Sequence, residues 1–242
     1  LKKQIDIKQL EQDIADCTLP NYSLADALAQ SSTGIIAEFK RRSPSKQWIN
    51  KGAEAKPITT GYANAGAAAL SVLTEPHFFG GNVSDLITAT ENVNIPVLKK
   101  DFIVDELQIL NARLEGASAI LLIAAALSKD EVNNFTDLAL QLQLDVLLEL
   151  HDESELDYIT PHHNIIGINN RNLGTFSTDI QKSFDMAKHL PNDAILVAES
   201  GISSPATVAQ LRQAGYRGFL IGENFMKTDD PEQALAQFIN QI

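Results

Sequence analysis

The pattern of apolar and polar positions changes character near residue 34. Before it, Ile5, Leu10 and Ile14 recur at loosely helical spacing among Lys, Gln, Asp and Glu. Pro20 and Asn21 break that run, and Leu24, Ala27 and Leu28 predict a second short helix. Residues 1–33 are therefore expected to form a helical extension, a lid or prop on the main domain. From residue 34 short β-rich apolar runs recur, at 34–40, 68–74, 97–102, 119–124, 145–150, 165–170, 194–200 and 218–222. Runs such as AILLIA, DVLLEL and FLIG are apolar at successive positions, the signature of strands buried on both faces of a parallel sheet. Helical patterns lie between them at 57–65, 105–114, 129–142 and 205–214. Gly66, Gly116 and Gly215 stand where three of these helices would stop.

Eight strand–helix units at intervals of roughly 20 to 35 residues predict an α/β fold, a single (β/α)8 TIM barrel over residues 34–242, and the typical barrel length of about 250 residues agrees. The alternative is a doubly wound open sheet, which should carry a G-x-G-x-x-G turn after its first strand. The stretch after the first strand, KRRSPSK, contains no glycine.

Barrels of this kind place their chemistry at the C-terminal ends of the strands. The first strand ends in Glu38 and Lys40, which alternation puts on one face, with Ala37, Phe39 and Arg41 on the other. The third ends in Lys99, Lys100 and Asp101, and the fifth in Glu149. The sixth gives Asn169, Asn170 and Arg171, the seventh Glu199 and Ser200, and the eighth Gly222 and Glu223. The second ends in Thr74 and Glu75, which draw no functional reading. Ionisable groups are expensive at the end of an apolar strand unless something uses them, and here they gather at one end of most strands. Gly201 and Gly222 fall in the seventh and eighth loops, where such barrels often hold a phosphate through backbone N–H groups.

Composition narrows the reading. The 242 residues carry 19 basic and 31 acidic side chains, a net charge of −12 that argues against nucleic acid as a partner. An anionic ligand needs a local basic focus, and Lys40, Arg41, Arg42 and Lys46 supply one. The five histidines show no metal-ligand spacing, so no metal is expected. Ser200 has no evident histidine base, which disfavours a Ser-His-Asp arrangement. No apolar run approaches the ~20 residues of a membrane span. The opening LKKQIDIKQL has no initiator Met and no signal-peptide core, and Cys17 is the single cysteine. The expected setting is cytoplasmic, away from membranes. The oligomeric state is left open, with a monomer compatible with the sequence.

The segments IAEFKRRSPSK, GAAALSVLTEPHFFGG, VLKKDFIVDELQI, LLELHDESEL, IIGINNRNLGTF, AESGI and FLIGENFMK closely resemble the indole-3-glycerol phosphate synthase family. The chain departs from the family pattern at Gln47, where a glycine usually follows S-P-S-K, before residue 34, and between His151 and Ile165, where it is short. The resemblance implies ring closure of 1-(o-carboxyphenylamino)-1-deoxyribulose 5-phosphate, with loss of carbon dioxide and water and without a cofactor. It implies Lys100 as general acid at the ketone oxygen, with a pKa expected to be lowered by burial and by Lys40 and moderated by neighbouring carboxylates. Glu149 would be the second acid/base group, Glu38 would orient the lysines, and Asn169 would fix a hydroxyl or amine. Glu199 and Ser200 would complete the polar floor. Ser43 and Arg171 would meet the carboxylate, and Phe79, Phe102, Leu121 and Leu173 would form an apolar slot for the aryl ring. The phosphate would go to Gly201, Gly222 and the N–H of Glu223, aided by Lys40. A Schiff-base aldolase using Lys99 or Lys100 is the main enzymatic rival.

Overall fold

Each apolar run becomes one strand of a closed cylinder. The structure is a computed structural model that describes residues 7–172 and 174–242. The strands are β1 (Ile35–Phe39), β2 (Ala69–Leu73), β3 (Val97–Lys100), β4 (Ala119–Ile123), β5 (Asp145–Leu150), β6 (Ile165–Asn169), β7 (Ile195–Glu199) and β8 (Tyr216–Ile221). Each pairs in parallel with the next, and β8 pairs with β1 to close the barrel. The expected α/β barrel is therefore the observed one. β3 stops at Lys100, two residues short of the run in the sequence, because Asp101 turns to accept hydrogen bonds from Thr74 Oγ1 and from the N–H of Phe102.

Period-2 alternation sorts the strand residues into two cores. Ile36, Ala69, Leu98, Leu121, Leu147, Ile165, Val197 and Leu220 fill the barrel interior. Ile35, Ala37, Phe39, Leu70, Val72, Ile120, Leu148 and Phe219 face the helical layer. That layer contains α3 (Ala55–Asn64), α4 (Pro76–Phe79), α5 (Val83–Asn92), α6 (Glu106–Leu114), α7 (Lys129–Gln141), α8 (Gln181–Met186), α9 (Pro205–Gln213), α10 (Glu223–Met226) and α11 (Pro231–Ile239). Between β5 and β6, where the sequence is short, the connection is only a 3-10 helix, Glu153–Tyr158.

Two helices precede the barrel, α1 (Ile7–Ala15) and α2 (Leu24–Gln30), whereas Ile5 lies outside the described residues. Leu24 and Leu28 of α2 are completely buried and belong to the interior core. Ser23 Oγ and the N–H of Ala25 both donate to Asp145, the first residue of β5, at 3.1 and 3.0 Å. Helix α2 thus stoppers the N-terminal mouth and leaves the opposite mouth open. Among the described residues no helix is long and apolar enough to cross a membrane.

After β1 the chain forms a small hairpin, Arg42–Ser43 against Gln47–Trp48. Gln47, at the family's usual glycine position, has φ +58°, the left-handed region that L side chains disfavour by about 1–2 kcal/mol. The hairpin is anchored beneath by Arg41, which grips Asp85 through both guanidinium nitrogens and donates through Nε to the carbonyl of Ala53 at 2.8 Å.

Candidate active site

The alternation that packs the interior also builds the site. Two residues beyond the apolar layer, the inward positions become polar: Ile36 gives way to Glu38 and Lys40, and Leu98 to Lys100. Leu147 gives way to Glu149, Val197 to Glu199, and Ile165 to Gly167 and Asn169. These side chains form the floor of a cavity of about 780 Å³ at the open mouth, a size suited to a small ligand. Ser43, Phe79, Phe102, Leu121, Arg171, Ser200, Gly201, Gly222 and Glu223 line it as well. Every residue given a role by the family resemblance is therefore brought to one cavity except Leu173, which lies outside the described residues. Lys99 points the other way. It is buried against the helical layer, where Nζ meets Glu115 Oε2 at 2.6 Å, and so is no longer a candidate nucleophile.

Lys100 is the hub of the floor. Its Nζ lies 3.0 Å from Glu149 Oε2 and 2.5 Å from Glu199 Oε2. Burial alone would lower its pKa, but the charges of Glu149, Glu199 and Glu38 outweigh burial and hold the ammonium above its ordinary value. The lowered value expected from the sequence is thus corrected. Lys40, expected to repel Lys100, is instead paired with Glu38. The two glutamates sharing Lys100 are driven apart. Burial works to raise Glu149, yet Lys100, His151 and a hydrogen bond from Asn169 win and push it below the ordinary carboxylate range. Glu199 is pushed up, first by burial and then by the charge of Glu149. Two carboxyl groups with opposed proton affinities around one ammonium are equipment for moving protons.

The walls are held by backbone devices. Gly167 lies beneath Glu199, where a Cβ would stand 2.4 Å from Oε1. Gly222 stands against Glu38, with the same 2.4 Å clash for a Cβ. Ser200 has φ +65°. Asn170 staples that turn by donating to the carbonyls of Glu199 and Ser200 at 3.0 and 3.1 Å, while Ser183 Oγ donates to it at 2.8 Å. Arg171 reaches over the mouth to Ser45 Oγ at 2.9 Å and to the carbonyl of Phe176 at 3.2 Å. Among the described residues no group of three or more His, Cys, Asp or Glu side chains could hold a metal ion.

Some contributors escaped the sequence reading. Glu75 is buried and accepts the N–H groups of His77, Phe78 and Phe79 at 2.8, 2.6 and 3.3 Å, which fixes α4 at the rim. Phe78 and Phe79 then pack on Phe102 with ring centroids 6.2 and 6.1 Å apart. Lys227 adds a cation to the wall near Gly222. His151 is buried beside Glu149. Gly167 had a usable signal, since a glycine inside an apolar strand marks close approach by another group.

Comparisons with known proteins identify the family. The family model described as indole-3-glycerol phosphate synthase matches residues 1–238. The chain is 52% identical over 241 residues to an indole-3-glycerol phosphate synthase from Bacteroides thetaiotaomicron, covering 100% of this chain and 92% of that protein. It is 41% identical over 218 residues to one from Bordetella pertussis, covering 90% and 83%. Among solved structures, tryptophan synthase subunit alpha from Legionella pneumophila superposes with a TM-score of 0.64 at 12% identity, over 90% of this chain and 95% of that one. A 3-hexulose-6-phosphate synthase superposes with a TM-score of 0.67 at 13% identity, over 86% and 99%. At these identities the two superpositions speak for the barrel alone.

Proposed function

The chain belongs to the indole-3-glycerol phosphate synthase family, and we propose that the cluster around Lys100 carries out the ring closure. The enzyme is a carboxy-lyase of tryptophan biosynthesis that converts 1-(o-carboxyphenylamino)-1-deoxyribulose 5-phosphate into indole-3-glycerol phosphate. The observation that carries the assignment of roles is the Lys100 ammonium, held between Glu149 and Glu199 on the floor of the cavity.

In this reading Lys100 protonates the ketone oxygen as the aryl carbon bearing the carboxylate attacks the carbonyl carbon. Its strong hold on a proton keeps it charged at neutral pH, and the oxygen it serves becomes far more basic as the carbonyl opens. Carbon dioxide then leaves and the ring regains aromaticity. Glu149, the carboxylate kept ionised, takes a proton from the ring CH2 as the hydroxyl departs. Glu38 orients Lys40, Asn169 fixes a hydroxyl or the amine, and Glu199 with Ser200 completes the polar floor. Arg171 and Ser43 receive the substrate carboxylate. Phe79, Phe102 and Leu121 hold the aryl ring. The phosphate sits against Gly201, Gly222 and the N–H of Glu223, with Lys40 supplying charge.

All these residues come from one chain, so the proposal requires no second subunit. A reducing, cytoplasmic setting suits the free Cys17. The test is a fluorescence assay of indole-3-glycerol phosphate formation by wild type and Lys100→Ala. Loss of about 100-fold or more in kcat, with an unchanged circular dichroism spectrum, is expected for a general acid. Undiminished turnover would remove Lys100 from the role.

A further inference from the structure

Glu149 has two sides. Its Oε2 accepts from Lys100 at 3.0 Å, while Oε1 lies 3.3 Å from Nε2 of His151. The imidazole is buried, with 7% of its residue surface exposed, and neither ring nitrogen makes a hydrogen bond. On its far side Nδ1 is 4.0 Å from Oε2 of Glu155, and that oxygen is held by the N–H of His151 at 2.6 Å. Glu155 belongs to the 3-10 helix between β5 and β6 and is largely buried itself, with 11% of its side chain open to solvent. The other charges near the ring are Asp152, next to it in the chain, and Lys182 of α8, which faces Asp152. Folded proteins leave few buried polar atoms unpaired, so a ring with two of them between two carboxylates needs an explanation.

The reaction supplies one. The substrate carboxylate is ionised and leaves as neutral carbon dioxide, so each turnover must take up one proton from solvent. In detail, the ketone oxygen and the departing hydroxyl each receive a proton, and the ring CH2 returns one. Two are given and one comes back. While substrate fills the mouth of the cavity, water cannot restore the missing proton from that side.

We propose that His151 delivers this proton to Glu149 from behind, by way of Glu155. The inference rests on the reading of Glu149 as an acid/base group. A proton taken from solvent by Glu155 Oε2 passes to Nδ1, which makes the ring the cation that acts on Glu149, and the proton on Nε2 then passes to Glu149 Oε1. Glu155 ends ionised and the ring ends neutral in its other tautomer, which exchange with water restores between turnovers. Glu149 hands the delivered proton to the departing hydroxyl, is ionised again when it takes the ring CH2 proton, and returns that one to Lys100. The relay requires the ring to shift toward Glu155 to close the 4.0 Å gap. His151 touches no substrate atom in this scheme and is a positioning and relay residue.

The test compares wild type, His151→Asn, Glu155→Gln and Glu149→Gln, with imidazole added in increasing amounts. His151→Asn is expected to lower kcat about tenfold or more with KM little changed, and imidazole should restore the rate in proportion to its concentration. Glu155→Gln keeps an acceptor for the His151 N–H but cannot pass a proton, and should also slow kcat. A wild-type kcat in His151→Asn, or a loss that no imidazole concentration reverses, overturns the relay. If His151→Asn does not fold, the response of Glu155→Gln decides, and an unchanged kcat there rejects the proposal. An active Glu149→Gln would instead sink the reading of Glu149 on which the relay depends.

Discussion

Glu199 lies across Gly167 of the neighbouring strand so closely that a Cβ there would stand 2.4 Å from its Oε1. The floor of the site thus depends on a missing methyl group. Gly167→Ala is expected to displace the Glu199 carboxyl from Lys100 and to reduce kcat by about 10-fold to 100-fold. The fold should lose only the ~1–3 kcal/mol typical of overpacking. Steady-state kinetics beside a denaturant melt would show it, and an unimpaired kcat would mean that Glu199 has room to spare.

The opposed shifts of Glu149 and Glu199 make stability depend on pH in two separate windows. Glu199 is raised, so above the ordinary carboxylate pKa of about 4.3 the folded state binds more protons than the unfolded state. Its contribution therefore falls as pH rises through its folded value. Glu149 is depressed, so its contribution is intact above that ordinary pKa and is lost as pH drops toward its folded value. Glu199→Gln should flatten the decline in Tm between about pH 4.3 and about pH 8 and leave the acid limb below it in place. Parallel Tm profiles for mutant and wild type would contradict this.

Glu75 serves the aryl ring at one remove, by holding the backbone that carries Phe78 and Phe79. Gln at this position turns an N–H2 group toward backbone donors. KM should rise about threefold to tenfold, the worth of a disturbed aromatic contact, while the Kd of inorganic phosphate stays put. Weakened phosphate binding would point to general damage instead.

Trp48 is 47% exposed, with the Arg42 guanidinium 5.7 Å and the Lys51 ammonium 5.4 Å from its ring, and it sits on the hairpin that brings Ser43 to the cavity. Ligand that settles this hairpin should change the emission of the one tryptophan in the chain. Constant fluorescence at saturating product, with binding verified by calorimetry, would show the hairpin indifferent to the ligand.

The barrel was legible because parallel strands buried on both faces leave continuous apolar runs, and because the step from Leu98 to Lys100 or from Leu147 to Glu149 marks where the interior turns polar. The charge state of Lys100 was not legible. It is set by Glu149 and Glu199, 49 and 99 residues away in the chain, which gather on its ammonium only in the folded barrel. Glu75 looked bland for a related reason. Its carboxylate works on backbone N–H groups, which have no residue-specific signature, and the helix it caps has only four residues. His151 was set aside as a metal ligand, and the sequence offers no other reason to notice a ring whose neighbours meet only after the chain turns.

The α2 stopper makes the barrel a vessel with one door. Leu24 and Leu28 close the base, and the apolar layer above them leaves no passage between base and floor. Substrate must enter, and the indole product must leave, by the same opening. Traffic through it is strictly alternating, so the product should inhibit as a pure competitor of substrate.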